Sequence, residues 1–161
     1  MVLFGDVAGV LACHDIADGK QRWRINLGAP VEGVLAVPDK VVVATADQIL
    51  LYNGKSGKKE WISVPDLNGP FSREKDMRVG ATSMAAKGKW LVVGSATTVS
   101  ILDLATGQVK DQVKTDLPAP APRAGGKSYP FGKSFASVAL GPEGIFWGVP
   151  VESGTRWTLL R

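Results

Sequence analysis

Three copies of a short glycine-containing motif recur along the chain, and this internal repeat constrains the fold more than any other feature of the sequence. The copies span residues 15–23, 53–61 and 103–111. Each begins with Asp or Asn and has glycine at its fifth position, and the first two copies end in tryptophan. Asp111 stands where a third tryptophan would be. The repeated unit is about 40 to 50 residues long, which is the length of one supersecondary unit in a repeat protein.

The chemistry of the motif predicts a tight hairpin turn. An Asp or Asn side chain accepts hydrogen bonds from backbone amides two residues on, and glycine readily adopts a positive φ at the end of the turn. Two short apolar segments precede each turn, as at residues 41–44 and 49–52 before the second copy, and both are rich in strand-forming residues. A partial fourth copy occupies residues 144–148 and 155–160. Each complete copy therefore predicts antiparallel strands joined by a glycine turn.

The pattern predicts an all-β fold, a β-propeller of four-stranded antiparallel blades with two complete blades flanked by two incomplete ones. Helical repeats are disfavoured because no 3.6-residue apolar period persists and because 19 glycines and 10 prolines interrupt every candidate helix. We label the strands of a blade A to D from the central axis outward. The complete blades are predicted to have strands at residues 31–37, 40–46, 48–53 and 58–63, and at residues 80–86, 89–96, 98–103 and 108–114.

We expect a single partial β-propeller over residues 1–161, divided into an incomplete blade at 1–29, blades at 30–79 and 80–133, and an incomplete blade at 134–161. The first blade begins at a B strand near Val2, and the last ends at a C strand near Leu160. Propellers have about 4 to 8 blades. Two alternatives follow, a truncated segment of a longer polypeptide or a half that another chain completes through the open edges. An isolated monomer is expected to be marginally stable.

The motif Asp-x-x-x-Gly-Lys-x-x-Trp, which follows two apolar strands at residues 15–23, resembles the blade of quinoprotein-type (PQQ-like) repeat propellers. That family includes quinone-dependent dehydrogenases and a non-enzymatic lipoprotein that assists outer-membrane protein assembly. The resemblance implies that the tryptophans pack between neighbouring blades, and it favours a periplasmic or extracytoplasmic location. The implied structural positions are Asp15, Gly19, Trp23, Asn53, Gly57, Trp61, Asp103 and Gly107.

Two long insertions, residues 64–79 and 113–133, follow a predicted D strand and precede the A strand of the next blade. Both therefore lie on the same face of a propeller, and loops on a rigid scaffold are where binding groups usually lie. This face is the predicted interaction surface for a protein or peptide. Solvated loops without a partner remain the alternative. The candidate residues are Arg73, Lys75, Arg78, Arg123, Lys127, Tyr129 and Lys133.

No catalytic constellation emerges from the residues. Residues 121–128 nearly match a phosphate-binding loop, but Pro130 follows where a helix would have to begin. Cys13 and His14 are the only residues of their types, so the chain cannot form a Cys/His zinc site by itself. Cys13 is expected in the core and His14 partly buried. Trp90 and Trp147, on predicted B strands, are expected to pack rather than to hold a cofactor.

Composition excludes further classes of function. With 45% hydrophobic and 21% charged residues and no apolar run of about 20 residues, the chain predicts a globular domain without a membrane span. A net charge of +4 without aromatic residues interleaved among the basic ones argues against nucleic-acid binding. Residues 10–13 resemble a lipoprotein cleavage box, but no Lys or Arg precedes Cys13, so a signal peptide is not predicted.

The sequence therefore favours a non-catalytic propeller scaffold or binding module, with no cofactor predicted in this chain. It is expected to bind protein or peptide through the inter-blade loop face. The alternative is a fragment of a quinone-dependent oxidoreductase whose cofactor site lies outside this chain, since one cysteine cannot form the adjacent pair and no cluster of oxygen ligands suits calcium.

Overall fold

Fourteen strands and no helix occupy the part of the chain that the computed structural model describes, namely residues 1–45, 48–65, 83–95, 98–114, 137–151 and 154–160. The strands form four antiparallel sheets in chain order, here called sheets 1 to 4. Sheet 1 contains β1 (Val2–Gly5), β2 (Val10–His14) and β3 (Gln21–Asn26). Sheet 2 contains β4 (Gly33–Val37), β5 (Lys40–Ala44), β6 (Ile49–Asn53) and β7 (Lys59–Ser63). Sheet 3 contains β8 (Ser83–Lys87), β9 (Trp90–Gly94), β10 (Thr98–Asp103) and β11 (Val109–Lys114). Sheet 4 contains β12 (Ser137–Leu140), β13 (Ile145–Val151) and β14 (Gly154–Leu160).

Strand order within every sheet follows the chain, so each sheet is a meander. The strands β4, β8 and β12 contact one another between neighbouring sheets, which makes them the inner A strands. Sheets 2 and 3 have all four positions, whereas sheet 1 has strands B to D and sheet 4 has strands A to C. This arrangement confirms the predicted all-β fold, with two four-stranded blades flanked by two incomplete ones. The residue limits of the blades as domains stay predictions.

The strands of the two complete blades lie close to their predicted ranges. One limit was wrong, because β11 continues to Lys114 and Val113 pairs with Val99, so the second insertion does not begin at Val113. In sheet 3 the A strand is described from Ser83 onward. The first three residues of its predicted range, 80–82, lie outside the described residues.

The three repeated turns share one backbone geometry. Asp103 Oδ1 accepts hydrogen bonds from the amides of Ala105 and Thr106 at 3.0 Å each, and the Gly107 amide donates to the Asp103 carbonyl at 2.8 Å. Asn53 does the same with the amides of Lys55 and Ser56. The turn glycines have φ of 71°, 69° and 72° in chain order. A side chain at these positions would be strained, because this is the left-handed region.

One apolar cluster fills each of the three seams between neighbouring sheets, here called seam 1 (sheets 1 and 2), seam 2 (sheets 2 and 3) and seam 3 (sheets 3 and 4). Alternate residues of β5 enter different seams: Val41 and Val43 pack toward sheet 1, while Val42 and Ala44 pack toward sheet 3. Successive side chains of a strand point to opposite faces, so a strand between two sheets buries all of its side chains. This explains why residues 41–44 form a continuous apolar run rather than an alternating one.

A tryptophan from the outer strand of one sheet clamps the turn of the next sheet in seams 1 and 2. The Trp23 indole Nε1 donates to the Gly54 carbonyl at 3.0 Å, and its ring lies against Gly57. The Trp61 indole Nε1 donates to the Leu104 carbonyl at 3.1 Å, and its ring lies against Gly107. A Cβ on Gly57 would lie 2.8 Å from Cγ of Trp23. Glycine at this turn thus allows the left-handed backbone conformation and also leaves room for the tryptophan ring.

The third seam is joined by inner strands instead. Trp147 on β13 is 3% exposed, and its indole Nε1 donates to the Ser95 carbonyl at 3.2 Å. The Val138 amide at the start of β12 donates to Ser83 Oγ at 3.0 Å. On β11, Asp111 replaces the outer tryptophan and is exposed. The outer clamp is therefore replaced by two polar anchors close to the axis.

Candidate interaction surfaces

The loop face is formed by the B–C turns and by the connections from each D strand to the next A strand, which leave the sheets at the same end. The geometry of the loop face can be seen at seam 1, where the structure describes both the B–C turn of sheet 1 and the connection from β3 to β4. The Val31 amide donates to the Asp6 carbonyl at 3.0 Å, and the Leu27 amide donates to the Gly9 carbonyl at 2.8 Å. Asp6 Oδ1 also accepts from the Val10 amide at 2.8 Å. The short connection is therefore fixed by backbone bonds to the neighbouring turn.

In seams 2 and 3 much longer connections replace this short one. Residues 64–82 join β7 to β8, and residues 115–136 join β11 to β12. The order of the strands therefore puts the strand ends that border both connections at the loop face. The seven predicted interaction residues lie outside the described residues: Arg73, Lys75, Arg78, Arg123, Lys127, Tyr129 and Lys133. Their role stays a prediction.

The opposite face, here called the turn face, carries the A–B turns and the three glycine turns. Several of its charges are paired: Lys40 contacts Glu60, Arg22 contacts Asp15, and Lys55 Nζ lies 3.3 Å from Asp39. The amide of Ala17, followed by the Arg22 guanidinium, lowers the pKa of Asp15. The Lys40 ammonium lowers the pKa of Glu60. These two carboxylates therefore already have partners, in the turn or the ion pair that each of them stabilises.

The pKa of Asp103 is lowered as well, and hydrogen bonds from its own turn are the main cause. The backbone amide of Thr106 lowers the pKa of Asp103, and the Thr106 hydroxyl and the Ala105 amide add to it. A carboxylate that accepts several amide bonds is favoured in its charged form. The role of Asp103 is therefore to hold the turn.

The aromatic and sulfur-containing candidates are not brought together. Trp147 lies in seam 3, whereas Trp90 is 39% exposed at the turn-face end of β9, with Lys89 Nζ 4.8 Å from the centre of its ring. Cys13 is buried in seam 1. His14 lies on the other face of β2, with Nδ1 3.0 Å from the Gly19 carbonyl oxygen. Cys13 and His14 therefore point away from each other.

Within the described ranges, no three His, Cys, Asp or Glu side chains lie close enough together to hold a metal ion. The same ranges contain no helix long and apolar enough to cross a membrane.

An exposed apolar face on sheet 1 was not among the predicted sites. Phe4 is 51% exposed and Val2 is also exposed, although both are strand residues. A concavity of about 280 Å³ lies beside them. It is lined by Phe4, Asp6, Val10, Ala12, His14, Gln21 and Arg24. No sequence motif marks this face, and the residues that align with Val2 and Phe4 in the next blade, Val41 and Val43, are fully buried.

Both the sequence and the fold of the chain resemble known proteins. The family described as outer membrane protein assembly factor BamB matches residues 1–123. No curated protein matches the chain in sequence. The crystal structure of BamB from Moraxella catarrhalis has a TM-score of 0.65 and 15% identity, over 91% of this chain and 39% of that chain.

Two further solved structures are similar in fold. Quinohemoprotein alcohol dehydrogenase ADHIIG from Pseudomonas putida HK5 has a TM-score of 0.63 and 17% identity, over 91% of this chain and 26% of that chain. Sqt1 from Saccharomyces cerevisiae has a TM-score of 0.69 and 12% identity, over 91% of this chain and 39% of that chain. The chain thus spans well under half the length of these proteins. The matches confirm the PQQ-like repeat type that the glycine and tryptophan motifs predicted.

Proposed function

Since the chain belongs to the outer membrane protein assembly factor BamB family, we propose that it is a non-catalytic propeller scaffold that binds protein or peptide through its loop face. The observation that carries the proposal is the contrast between the connections on this face. A short connection in seam 1 is tied down by backbone hydrogen bonds, whereas two long insertions emerge at seams 2 and 3. Long loops on a rigid sheet framework are suited to recognition.

Charge supports a partner with an acidic surface. The second insertion, residues 115–136, has three basic residues and a single acidic one. The turn face, in contrast, neutralises many of its charges in ion pairs. A surface with unbalanced positive charge attracts acidic partners and speeds their association. The loop face is therefore the better candidate for electrostatic recognition.

The oxidoreductase alternative has weaker support. The quinohemoprotein dehydrogenase resembles this chain in fold at 17% identity, and a fold of this kind hosts many functions. A direct test is to add pyrroloquinoline quinone and Ca²⁺ and to follow absorbance and the melting temperature. A ligand that binds the folded state raises its stability, so the scaffold proposal predicts no shift. A cofactor-dependent rise in melting temperature would favour the oxidoreductase.

The family description suggests the probe for a binding experiment, an unfolded outer-membrane protein carrying a fluorescent label. Its affinity for the chain would be measured by fluorescence anisotropy at low and at physiological salt. Reversing three charges of the second insertion, R123E with K127E and K133E, is expected to weaken binding at least about tenfold. The effect should shrink as salt screens the charges.

A matched control reverses three lysines on the turn face, K55E with K58E and K110E, which changes the net charge by the same amount. The proposal predicts little change in affinity for this variant. Equal weakening by both triple variants would mean that net charge alone attracts the probe. That result, or no binding by the unmodified chain, would refute recognition through the loop face.

A further inference from the structure

The glycine turn of sheet 2 contains a chemically reactive pair that the other two turns lack. It begins with Asn53, and Gly54 follows directly. In the other two copies the motif begins with Asp, and Ile16 or Leu104 follows. Glycine has no Cβ, so a neighbouring group can approach its backbone nitrogen closely. Among the three turns, the turn of sheet 2 is therefore the most prone to spontaneous deamidation.

Deamidation of this pair exchanges water for ammonia. The Gly54 nitrogen gives up its proton and bonds to Cγ of Asn53, while the side-chain nitrogen takes a proton and leaves as ammonia. This step closes a succinimide ring. Water then opens the ring at one of its two carbonyls and gives aspartate or isoaspartate. Water is the only co-reactant, so the pair can react without a catalyst.

The fold holds the attacking nitrogen. The Gly54 amide donates to the Asp39 carbonyl at 2.8 Å, and the Gly54 carbonyl accepts from the Trp23 indole at 3.0 Å. Gly54 is also buried. A buried and hydrogen-bonded amide loses its proton to base only when the structure opens locally. The nitrogen therefore becomes reactive only when the turn leaves these two partners.

The fold also holds the group that would be attacked. Asn53 Oδ1 accepts from the amides of Lys55 and Ser56 at 3.1 and 3.0 Å and from the Ser56 hydroxyl at 3.1 Å. Asn53 Nδ2 donates to Glu60 Oε1 at 3.4 Å. Hydrogen bonds at both ends fix the orientation of the carboxamide. Ring closure consumes this nitrogen as the leaving group, so it must break the bond to Glu60.

We propose that Asn53 is a site of spontaneous deamidation whose rate is set by how often seam 1 opens. Trp23 belongs to sheet 1, and its indole is the polar contact that ties the Asn53–Gly54 pair to the neighbouring sheet. Separation of sheets 1 and 2 releases the Gly54 peptide. In seam 2 the equivalent indole, that of Trp61, donates to the Leu104 carbonyl, where no such pair lies. The inference does not depend on what the loop face binds.

The two products differ in how well they fit the turn. Asp15 and Asp103 hold the equivalent position and accept amide bonds there, so the aspartate product can form the same turn. Its carboxylate would lie beside Glu60, where the other two copies of the motif have a basic residue. Isoaspartate adds a carbon to the backbone and cannot keep this hydrogen-bond pattern. Asn53→Asp should therefore keep the fold.

Mass spectrometry of proteolytic fragments tests the proposal on the 161-residue chain, incubated at mildly alkaline pH with and without guanidinium chloride. Deamidation at Asn53 is expected to be at least about tenfold slower in the folded chain than in denaturant. Asn68 is also followed by glycine, so in denaturant it supplies a reference for the intrinsic rate of the pair. An equal rate at Asn53 in the folded and unfolded chain would overturn the proposal.

Two matched variants separate opening of seam 1 from global unfolding. Trp23→Phe keeps an aromatic ring but removes the bond to the Gly54 carbonyl, and it should speed deamidation of the folded chain at Asn53 about threefold or more. Trp61→Phe removes the equivalent bond in seam 2 and should leave that rate nearly unchanged. Circular dichroism verifies that both variants keep the β-fold. Equal rates in the two variants, whether raised or unchanged, would contradict control by seam 1.

Discussion

Seams 1 and 2 differ from seam 3 in where polar contacts join the sheets. In the first two, Trp23 and Trp61 reach from the outer strand of one sheet to a carbonyl in the glycine turn of the next. In seam 3, Trp147 and Ser83 make the polar contacts near the inner strands. All three seams bury an apolar cluster. Apolar burial therefore holds every seam together, while the polar anchor can lie at the rim or near the axis.

The difference teaches what the repeated motif does. The turn glycine and the tryptophan form a pair across a seam, since the glycine turns of sheets 2 and 3 each receive the ring from the preceding sheet. The turn of sheet 1, at Gly19, has no atom within 4 Å of where a Cβ would lie. In sheet 1 the turn needs glycine only for its positive φ, whereas in sheets 2 and 3 it needs glycine for the positive φ and for the space that the tryptophan ring occupies.

Loss of a rim tryptophan should have the largest effect. Trp23 is 8% exposed, and Trp23→Ala should lower the free energy of unfolding by about 3–5 kcal/mol, because it leaves a large cavity. It also removes the hydrogen bond to the Gly54 carbonyl. Trp90→Ala, at an exposed tryptophan of the turn face, should cost less than about 1 kcal/mol. Urea unfolding measures both, and equal losses would contradict the clamp.

A methyl group on the turn glycine should have the next largest effect. Gly57→Ala is expected to cost about 2–4 kcal/mol, because it combines a strained left-handed backbone with a collision against the Trp23 ring. Gly19→Ala has nearly the same φ but open space around it, so it should cost only about 1–2 kcal/mol. Thermal or urea unfolding compares the two variants. Identical losses would mean that backbone conformation alone selects glycine in this motif.

The inner anchor of seam 3 should have a smaller effect. Ser83→Ala removes the acceptor of the Val138 amide and is expected to cost about 1–2 kcal/mol, since a partly buried donor loses its partner. Ser56→Ala is the control, because Ser56 Oγ bonds only within its own exposed turn. Urea unfolding should separate the two variants. A loss at Ser83 no greater than that at Ser56 would show that seam 3 needs apolar packing alone.

The smallest effect should be an acid dependence that distinguishes one turn from another. The folded state lowers the pKa of Asp103 below its unfolded value of about 4. Its charged form therefore stabilises the fold above about pH 4, and this contribution is lost as the pH falls through the folded pKa. Asp103→Asn copies the Asn53 turn and should lose less stability than the unmodified chain between pH 7 and pH 3. Urea midpoints at the two pH values measure the difference, and equal losses would contradict this role.

Much of the fold was predictable because its determinants are local. A turn that begins with Asp or Asn and ends with glycine specifies a hairpin within a few residues, as at Asp15, Asn53 and Asp103. Strands buried on both faces produce apolar runs such as β5, which bound the hairpins in the sequence. The predicted order of strands, with three in the first and last sheets, followed from counting these units.

The candidate surfaces were less predictable, because they depend on contacts between distant residues. The exposure of Phe4 follows from the register of β1 against β2, and that register appears only when the two strands pair. The polar anchors of seam 3 join residues 52 and 55 positions apart, and no motif announces such a contact. The insertions were predicted from their length and charge, but composition alone does not specify which residues meet a partner.

The central claim is that successive sheets stack through seams in which a tryptophan indole of one sheet donates a hydrogen bond to a carbonyl of the neighbouring sheet. Hydrogen exchange of the indole N–H groups, followed by NMR and assigned by single Trp→Phe variants, tests it most directly. The account predicts slow exchange for Trp23, Trp61 and Trp147 and fast exchange for the exposed Trp90. Fast exchange at Trp23 and Trp61, at the rate of Trp90, would contradict the stacking of sheets described here.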